Sequence, residues 1–403
     1  MSIARTLLVL RMFARMVGRV PAQHLWYLLR RMRSEKPHRF AGQVHINTFF
    51  PPYPSPAFDR FCRAVIERRR VPYSTYLAVT GRCPFHCAHC SYAGRTNAEM
   101  SAAQMRDVVA QIKALGTCTL GLTGGEPLLR DDLEDLIGAA GPEMTTVLFT
   151  TGHTLDAGRA ARLAHAGVGC VTIGLESAAA ATHDRVRGCS GSFAEAVAAA
   201  DACRDAGIYL AISTVGTREK LAGGDLAALY ALAQRWGAGE FRILTPVATG
   251  AWRGCAAATL NADERGALAD FQRAYNRRAT GPAIAAFAYL ESDEVFGCGA
   301  GFHHLFIDAA GEVCPCDLTP LSFGSVVTEP LLSIWNRMGA FFPVPRRGCL
   351  MNAVGPLLNE AGGPLPLPRA ESERICGACH PQGPLPEGYR RLLRAGEQFK
   401  NPG

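Results

Sequence analysis

The chain lacks both the long apolar runs of membrane-spanning proteins and the long polar stretches of disordered ones. None of its hydrophobic runs approaches the roughly 18 residues that a membrane-spanning helix needs. Charged residues make up 19% of the chain and hydrophobic residues 48%, which excludes a composition typical of disorder. With 403 residues the chain can bury a large core, and this length predicts about two to three domains.

Acidic residues are missing from the first 33 positions, which carry seven arginines. These arginines are Arg5, Arg11, Arg15, Arg19, Arg30, Arg31 and Arg33. Their seven positive charges equal the formal net charge of +7, so residues 34–403 contain equal numbers of acidic and basic residues. A balanced remainder argues against a broad nucleic-acid interface.

Residues 1–33 have the pattern of a basic amphipathic helix that is interrupted near Pro21. Arg11, Arg15 and Arg19 recur every four residues and share a face. Another side of the helix is lined by Val9, Phe13, Met16 and Val20. Three interpretations stay open: a helix packed on the body of the protein, an interfacial membrane helix, or an oligomer contact.

The 15 cysteines do not form the even, regularly spaced set of a disulfide framework. Arginines break the apolar runs near the amino terminus, which argues against a secretory signal. Reduced cysteines in the cytosol more often bind metal or perform chemistry. We therefore expect a cytoplasmic protein, with residues 1–33 as the candidate for contact with the inner face of a membrane.

Apolar runs alternate with helical patterns between residues 74 and 250. Strands are predicted at 74–80, 118–123, 145–150, 169–175, 208–215 and 240–245, and helices near 102–115, 131–140, 155–166, 192–206 and 224–237. Such alternation predicts an α/β fold with a parallel sheet. Six units are too few to close an eight-stranded barrel, so we expect a partial (β/α)6 TIM-like barrel with its chemistry at the carboxyl ends of the strands.

The composition divides the chain into six segments. After the amphipathic segment 1–33 comes a Pro-rich lead-in, 34–73, in which no regular strands are expected. The barrel core spans 74–255, and an Ala-rich helical linker spans 256–295. Residues 296–380 form a small cysteine-rich module, and 381–403 form a tail.

Cys83, Cys87 and Cys90 follow the first predicted strand with the spacing CxxxCxxC. Three thiolates on one loop can hold an iron–sulfur cluster and leave one iron open for a small chelating molecule. Zinc is the alternative, although zinc sites usually combine paired CxxC units.

The segment Thr123-Gly124-Gly125-Glu126-Pro127 ends the second predicted strand. Together with the cysteine spacing it resembles the radical S-adenosylmethionine (SAM) superfamily. The resemblance implies that the backbone of this segment and the Glu126 carboxylate receive the methionyl amino group of SAM. Glycines permit close approach of the backbone, and a carboxylate accepts hydrogen bonds from an ammonium group.

Weaker similarities to the same family extend to residue 250. The resemblance places Thr150 near the ribose of SAM, Glu176 at the end of the fourth strand, and the backbone of His89 near the adenine. Arg187 lies in a stretch resembling the family's HDxxRG motif, His183–Gly188. Arg187 is therefore either a partner of the SAM carboxylate or part of a surface ion pair.

The resemblance implies reductive cleavage of SAM. One electron, supplied by a donor such as flavodoxin or ferredoxin, passes through a 4Fe–4S cluster to SAM. The products are methionine and a 5′-deoxyadenosyl radical, which abstracts hydrogen from a substrate carbon. The cofactors perform the difficult step, and the protein orients them.

A second group of cysteines lies near the carboxyl terminus. Cys298, Gly311, Cys316 and the pair Cys376 and Cys379 resemble a truncated SPASM pattern, closer to its shorter twitch form. The resemblance implies one auxiliary 4Fe–4S cluster held by these four cysteines. Cys314 and Cys349 are alternative ligands, and a structural zinc ion is the alternative to a cluster.

The substrate is the least constrained part of the prediction. The implied reaction is a redox or carbon–carbon bond-forming modification, and the basic amino terminus favours a lipid or lipid-linked substrate. The alternatives are maturation of a ribosomal peptide, oxidation of a small-molecule alcohol, or a non-catalytic iron–sulfur electron carrier. The motif at Gly124–Pro127 argues against a carrier, which needs no SAM site. No catalytic base is assigned among His303, His304, Asp308 and Asp317.

Overall fold

A nine-stranded sheet organises the protein. The computed structural model describes residues 3–96, 98–379 and 383–401, and side chains from Leu7 onward. The strands of the sheet are β3 (Ser74–Thr80), β4 (Thr119–Gly124), β5 (Thr145–Thr150), β6 (Cys170–Gly174), β7 (Leu210–Val215), β8 (Glu240–Leu244), β9 (Ala283–Ala286), β10 (His304–Ile307) and β11 (Val313–Cys314). A separate hairpin consists of β1 (His38–Phe40) and β2 (Gln43–His45).

The strands follow the order β11-β10-β3-β4-β5-β6-β7-β8-β9, and all pairs are parallel except β10 with β11. The sheet curls, because Tyr76 on β3 contacts strands that are not its neighbours. Its ring lies 4.9 Å from that of Phe149 on β5, and Arg242 Nη2 on β8 donates to its hydroxyl at 3.4 Å. The predicted α/β fold with a partial TIM-like barrel is confirmed.

The helices surround this sheet. They are α1 (Ile3–Phe13), α2 (Ala22–Arg31), α3 (Pro56–Glu67), α4 (Ala102–Leu115), α5 (Leu133–Ala140), α6 (Ala157–His165), α7 (Ala180–Arg187), α8 (Ser192–Asp205), α9 (Arg218–Gly223), α10 (Asp225–Arg235), α11 (Ala262–Asn276), α12 (Phe287–Leu290), α13 (Leu331–Met338), α14 (Leu350–Ala361), α15 (Arg369–Ala378) and α16 (Glu387–Leu392). The predicted helix at 102–115 has clear end signals: Ser101 and Gln104 form a capping box, and Gly116 ends the helix with a φ of 105°.

The lead-in 34–73 differs from its prediction, because it contains the β1–β2 hairpin and α3. His38, Phe40 and His45 pack on the ring of Tyr209, with centroid distances of 5.8, 5.3 and 4.1 Å. The hairpin thus packs against the barrel residue Tyr209 next to β7. Tertiary packing of this kind supports strands too short to show a pattern in the sequence.

The linker 256–295 was predicted to be helical throughout, and this is wrong at β9. Alanine favours helices, but Ala283–Ala286 pairs with β8. Two side chains of α11 complete the outer edge of this strand. Asn276 Oδ1 accepts from Ile284 N at 2.7 Å, and Gln272 Oε1 accepts from Ala286 N at 2.7 Å.

The module 296–380 is joined to the barrel through β10, which pairs with β3 and extends the same sheet. The residues on either side of its predicted boundary with the tail, 380 and 381, lie outside the described part of the chain. In the tail, Tyr389 of α16 packs in the same apolar cluster as Tyr27 and Leu28 of α2.

The amino-terminal segment forms α1 and α2, which meet at the predicted break beside Pro21. The predicted inner residues Val9, Phe13, Met16 and Val20 are buried in a cluster with α3, while Arg11, Arg15 and Arg19 are exposed. Among the described residues no helix is long and apolar enough to cross a membrane.

Candidate functional site

One cavity of about 1500 Å³ opens where the carboxyl ends of the barrel strands meet. Its wall includes two groups of cysteines that are far apart in the sequence. The first group is Cys83, Cys87 and Cys90, and the second is Cys298, Cys316 and Cys349. Both predicted cofactor regions therefore face the same space.

The loop that carries the first group is anchored on several sides. Glu99 accepts from Gly81 N at 3.1 Å and from the Thr80 hydroxyl. His86 N donates to Arg187 O at 3.0 Å, which fixes the loop to the end of α7. Ala251 N donates to Cys90 O at 2.9 Å. These contacts place the three thiols on one loop at the edge of the cavity.

The Gly124–Gly125 backbone is joined directly to this cysteine loop. Gly125 N donates to Thr80 O and Glu126 N donates to Arg82 O, each at 2.8 Å. A Cβ on Gly124 would lie 2.2 Å from Thr80 O, and one on Gly125 would lie 2.1 Å from Arg82 O. No other residue fits this close approach of two backbones.

The Glu126 carboxylate is fully engaged within the protein. It accepts from Thr150 Oγ1 at 2.6 Å, from Thr151 N and Oγ1 at 2.8 and 2.6 Å, and from Leu128 N at 3.1 Å. These four hydrogen bonds occupy the acceptor positions of the carboxylate in this structure, and its contact with the methionyl amino group of SAM stays a prediction. Pro127 is buried at the start of a short 3₁₀ turn. The parts of this region that face the cavity are Thr123, Gly124, Gly125, Thr150 and Thr151.

Glu176 is the centre of a buried charged group. Lys220 Nζ donates to its Oε2 at 2.6 Å, and its Oε1 lies 3.2 Å from His89 Nε2 and 3.3 Å from Arg187 Nη2. Burial alone would raise the pKa of Glu176, but Lys220, His89 and Arg187 hold that pKa well below its usual range. The carboxylate is therefore ionised and fixes three side chains beside the cysteine loop.

Arg187 is buried, so the alternative that it forms a surface ion pair is wrong. Besides its contact with Glu176, its Nη1 lies 3.6 Å from Cys87 Sγ, within hydrogen-bond range of a sulfur. A guanidinium in this position stabilises negative charge on the thiolate. Pairing of Arg187 with the SAM carboxylate stays a prediction, as do the contacts of His89 and Thr150 with SAM.

Three residues were not identified in the sequence: Arg242 and Trp252, which line the cavity, and Lys220, which lies behind its wall on Glu176. Lys220 follows β7, Arg242 lies on β8, and Trp252 follows β8 in a 3₁₀ turn, with its ring 5.9 Å from that of His89. One comes from the segment after β7 and two from β8 and the segment after it, and none belongs to a contiguous motif. The only available signal was their position near the carboxyl ends of predicted strands.

The second group brings Cys349 beside Cys298 and Cys316. Cys298 N donates to Arg346 O at 2.9 Å, which ties the two segments together. Burial, together with the nearby charge of Cys349, raises the pKa of the Cys298 thiol to about 12. Burial also raises the pKa of Cys316, with contributions from Asp317, Cys298 and Cys349. Without a partner of opposite charge, these neighbouring buried thiols resist ionisation. A bound metal would supply the positive charge that stabilises them as thiolates.

Cys314 lies elsewhere, and its suggested role as a ligand is wrong. It is fully buried among Ala78, Phe306 and Ala309 and does not line the cavity. Arg95 Nη1 lies 3.6 Å from its sulfur. The predicted ligands Cys376 and Cys379 lie on and just after α15, where Cys379 Sγ approaches Ala353 O at 3.7 Å. Ala353 itself lines the cavity, so this pair lies close behind the wall that Cys349 faces.

His304 and Asp317 form a polar pair beside Cys316. His304 Nε2 lies 3.3 Å from Asp317 Oδ1, and its Nδ1 lies 2.8 Å from Ser74 Oγ. The ligand atoms of His304, Cys316 and Asp317 all lie within 4.8 Å of one another. This spacing also suits a single ion, so metal analysis must separate zinc from iron.

Two family models match the chain. Residues 77–221 match the radical SAM superfamily, and residues 298–341 match SPASM, an iron–sulfur cluster-binding domain. The first match contains the Cys83–Cys90 loop and Gly124–Pro127. The second contains Cys298, Cys314 and Cys316 and ends before Cys349.

Several curated proteins are similar over most of the chain. The "PqqA peptide cyclase" of Streptomyces rochei is 32% identical over 67% of this chain and 77% of its own. The "Mycofactocin maturase MftC" of Mycobacterium ulcerans is 35% identical over 59% and 66%. The "AdoMet-dependent heme synthase" of Nitratidesulfovibrio vulgaris is 24% identical over 75% and 85%.

Solved structures share the fold. Streptococcus suis SuiB bound to precursor peptide SuiA covers 68% of each chain with a TM-score of 0.55 and 16% identity. Native anSMEcpe with bound AdoMet and Cp18Cys peptide covers 80% of this chain and 98% of that chain, with a TM-score of 0.54 and 15% identity. With the cysteine loop, the Gly124–Gly125 backbone and the matching relatives in agreement, the chain belongs to the radical SAM superfamily and carries a SPASM-type auxiliary iron–sulfur domain.

Proposed function

We propose that this enzyme takes a hydrogen atom from an organic substrate held in the cavity between its two cysteine groups. The observation that carries the proposal is that both groups line one continuous wall. SAM and a 4Fe–4S cluster are cofactors of the enzyme, and when bound the cluster supplies the electron that cleaves SAM. Cys83, Cys87 and Cys90 would hold this cluster, and the backbone at Gly124 and Gly125 would hold SAM.

The auxiliary site would receive an electron from the substrate after hydrogen abstraction. Hydrogen abstraction converts the substrate to a carbon radical and SAM to methionine and 5′-deoxyadenosine. The radical can lose one electron to an auxiliary cluster and one proton to a base, or it can form a new bond before that loss. Cys298, Cys316 and Cys349 would hold the auxiliary cluster, with a further ligand from Cys376 or Cys379.

A peptide is the substrate class that we propose first. The names of two relatives describe a peptide cyclase and a maturase. Arg242 lies in the cavity wall, and its positive charge suits a substrate that carries an acidic group. It is buried, its Nη1 pairs with Glu240 Oε1 at 3.6 Å, its Nη2 donates to the Tyr76 hydroxyl at 3.4 Å, and its Nε has no partner among the described residues. Glu240 also accepts from Thr48 N and Oγ1, each at 2.8 Å, so it is shared, and the Nε of Arg242 remains available to a substrate carboxylate.

A lipid or lipid-linked molecule is the second candidate. The cavity extends beneath the amino-terminal helices, where its wall is apolar. Phe13, Met16, Leu28, Phe61 and Val65 line this part. An apolar extension of this kind suits an alkyl chain better than a polar peptide backbone. Comparison of the peptides and lipids of a deletion strain with its parent would separate the two substrate classes.

The activity is tested with the full chain, reconstituted with iron and sulfide under anaerobic conditions. Reduced protein with SAM is expected to form 5′-deoxyadenosine, and Cys87→Ala is expected to form none above background, because one of three cluster ligands is lost. Cys255→Ala, which removes an exposed thiol that does not line the cavity, is the matched control. Equal product from the wild type and Cys87→Ala would refute the proposal.

Arg187→Met is expected to slow SAM cleavage about tenfold, equivalent to about 1.4 kcal/mol. Loss of the guanidinium beside Cys87 disfavours the more negative, reduced form of the site, so its reduction potential should fall. Glu176 would keep Lys220 and His89 as partners. Arg185→Met, on the exposed face of the same helix, is the control. If both variants have the same potential and rate, Arg187 has no electrostatic role.

A further inference from the structure

The outer side of the two amino-terminal helices, α1 and α2, and of the connection between them carries several exposed apolar side chains. Six large hydrophobic side chains are strongly exposed among the described residues, and four of them lie here. They are Leu7, Leu10, Val17 and Trp26, with exposures of 62, 45, 67 and 64%. Apolar groups clustered in this way on a water-exposed face mark a contact site.

Helical spacing places arginines among these apolar groups. Leu7, Leu10 and Arg11 are spaced i, i+3, i+4 on α1, opposite the buried Val9 and Met12. Trp26 and Arg30 are spaced i, i+4 on α2, opposite the buried Tyr27 and Leu28. We use the term basic–apolar face for the exposed residues Leu7, Leu10 and Arg11 of α1, Val17 and Arg19 of the connection, Trp26 and Arg30 of α2, and Arg33 just after α2.

The positive charge of the basic–apolar face is not neutralised by the protein. Within the described part of the chain, Arg11, Arg19, Arg30 and Arg33 have no carboxylate within ion-pair distance. The other two arginines with described side chains in this segment are paired, Arg15 with Asp59 and Arg31 with Glu294. The first 33 residues contain no acidic side chain that could compensate.

We infer that the basic–apolar face docks on an anionic lipid bilayer. Leucine and tryptophan side chains enter the headgroup region, while arginines bind lipid phosphates. A second copy of the chain is a poorer occupant, because a two-fold contact through this face would bring the same four arginines together. The inference does not rest on the proposed function. The basic–apolar face is the outer side of these helices, and none of its residues lines the cavity, whose wall includes residues of their inner side.

The test measures binding of the full-length protein to vesicles. Phosphatidylglycerol-containing vesicles are expected to bind the protein at least about tenfold more tightly than pure phosphatidylcholine vesicles, and added salt should weaken this binding. The triple variant Arg11→Glu/Arg19→Glu/Arg30→Glu should lose at least about tenfold in affinity, as should Leu7→Ser/Leu10→Ser/Trp26→Ser. Substitutions on the outer face are used because the inner residues belong to the core.

Matched controls lie elsewhere on the surface. Arg106→Glu/Arg235→Glu/Arg277→Glu reverses three exposed arginines, and Val327→Ser/Leu332→Ser removes the other two exposed hydrophobic side chains. Both controls should bind like the wild type, and all variants should keep their helical content and 5′-deoxyadenosine formation. The inference is overturned if the protein does not bind anionic vesicles, binds neutral vesicles equally well, or loses as much affinity in the control variants. It is also overturned if the wild type is a dimer that dissociates in Leu7→Ser/Leu10→Ser/Trp26→Ser.

Discussion

Gly125→Ala is expected to lower 5′-deoxyadenosine formation at least about a hundredfold, which corresponds to about 2.7 kcal/mol or more. The added Cβ would lie 2.1 Å from Arg82 O, 2.6 Å from Arg82 C and 2.8 Å from Gly81 O. All three atoms are backbone, so no side chain can rotate away to make room. The cysteine loop would have to separate from the end of β4, and the backbone proposed to hold SAM would move with it.

Gly138→Ala is the matched control for this variant. Gly138 lies within α5 and has no atom within 4 Å of the position that a Cβ would occupy. Alanine there should leave activity unchanged and stabilise the helix slightly, because alanine has a higher helix propensity than glycine. Activity, SAM binding and iron content are measured together with the melting temperature. Wild-type activity in Gly125→Ala would show that the two backbones can separate without functional loss.

The barrel was predictable where one strand or helix has its own periodicity and end signals. β3 and β5 match their predicted bounds, and α4 matches because a capping box and Gly116 mark its ends. β9 was not predictable, since an alanine-rich segment becomes a strand only when Asn276 and Gln272 complete its edge. The β1–β2 hairpin likewise depends on packing against Tyr209, which is distant in sequence.

In the candidate site, contiguous motifs could be predicted from the sequence, whereas contacts between residues far apart in the sequence could not. Cys83–Cys90 and Gly124–Pro127 are contiguous and could be identified from their spacing alone. Their direct connection, through Thr80 O and Arg82 O, is a property of adjacent strand ends and needs the structure. Arg242 and Trp252 reach the cavity from β8 and the segment after it, and Lys220 reaches Glu176 from the segment after β7. No short motif identifies them. The saturation of the Glu126 carboxylate by Thr150 and Thr151 was equally invisible in the sequence.

The auxiliary ligands show why spacing alone leaves alternatives. Cys314 and Cys316 are two residues apart, yet Cys314 packs inside the protein and Cys316 faces the cavity. Cys349 has no ligand spacing, but the bond from Cys298 N to Arg346 O brings its segment to the same wall. The resemblance implied Cys298, Cys316, Cys376 and Cys379, with Cys314 and Cys349 as alternatives. The geometry favours Cys349 of these two, which leaves five candidates for a cluster that needs at most four thiolates.

Cys349→Ala is therefore expected to remove about half of the bound iron, from about eight to about four atoms per chain, while SAM cleavage continues. Cys349 precedes α14 with an extended backbone, φ −66° and ψ 131°, which alanine also adopts, so the substitution should leave that helix in place. Cys314→Ala is the control and should keep all of its iron. Iron and zinc analysis with electron paramagnetic resonance of the reduced protein distinguishes loss of the auxiliary cluster from loss of the first.

Two results would contradict the assignment of Cys349. Full iron content in Cys349→Ala, with losses in both Cys376→Ala and Cys379→Ala, would restore the four-ligand set implied by the resemblance. One zinc with about four irons in the wild type would instead favour a single ion at His304, Cys316 and Asp317, whose ligand atoms lie close enough to share it. The proposed ligand set is Cys298, Cys316 and Cys349 from the cavity wall and either Cys376 or Cys379 from behind it. It is supported only if Cys349→Ala loses the auxiliary iron and one of the variants Cys376→Ala and Cys379→Ala retains it.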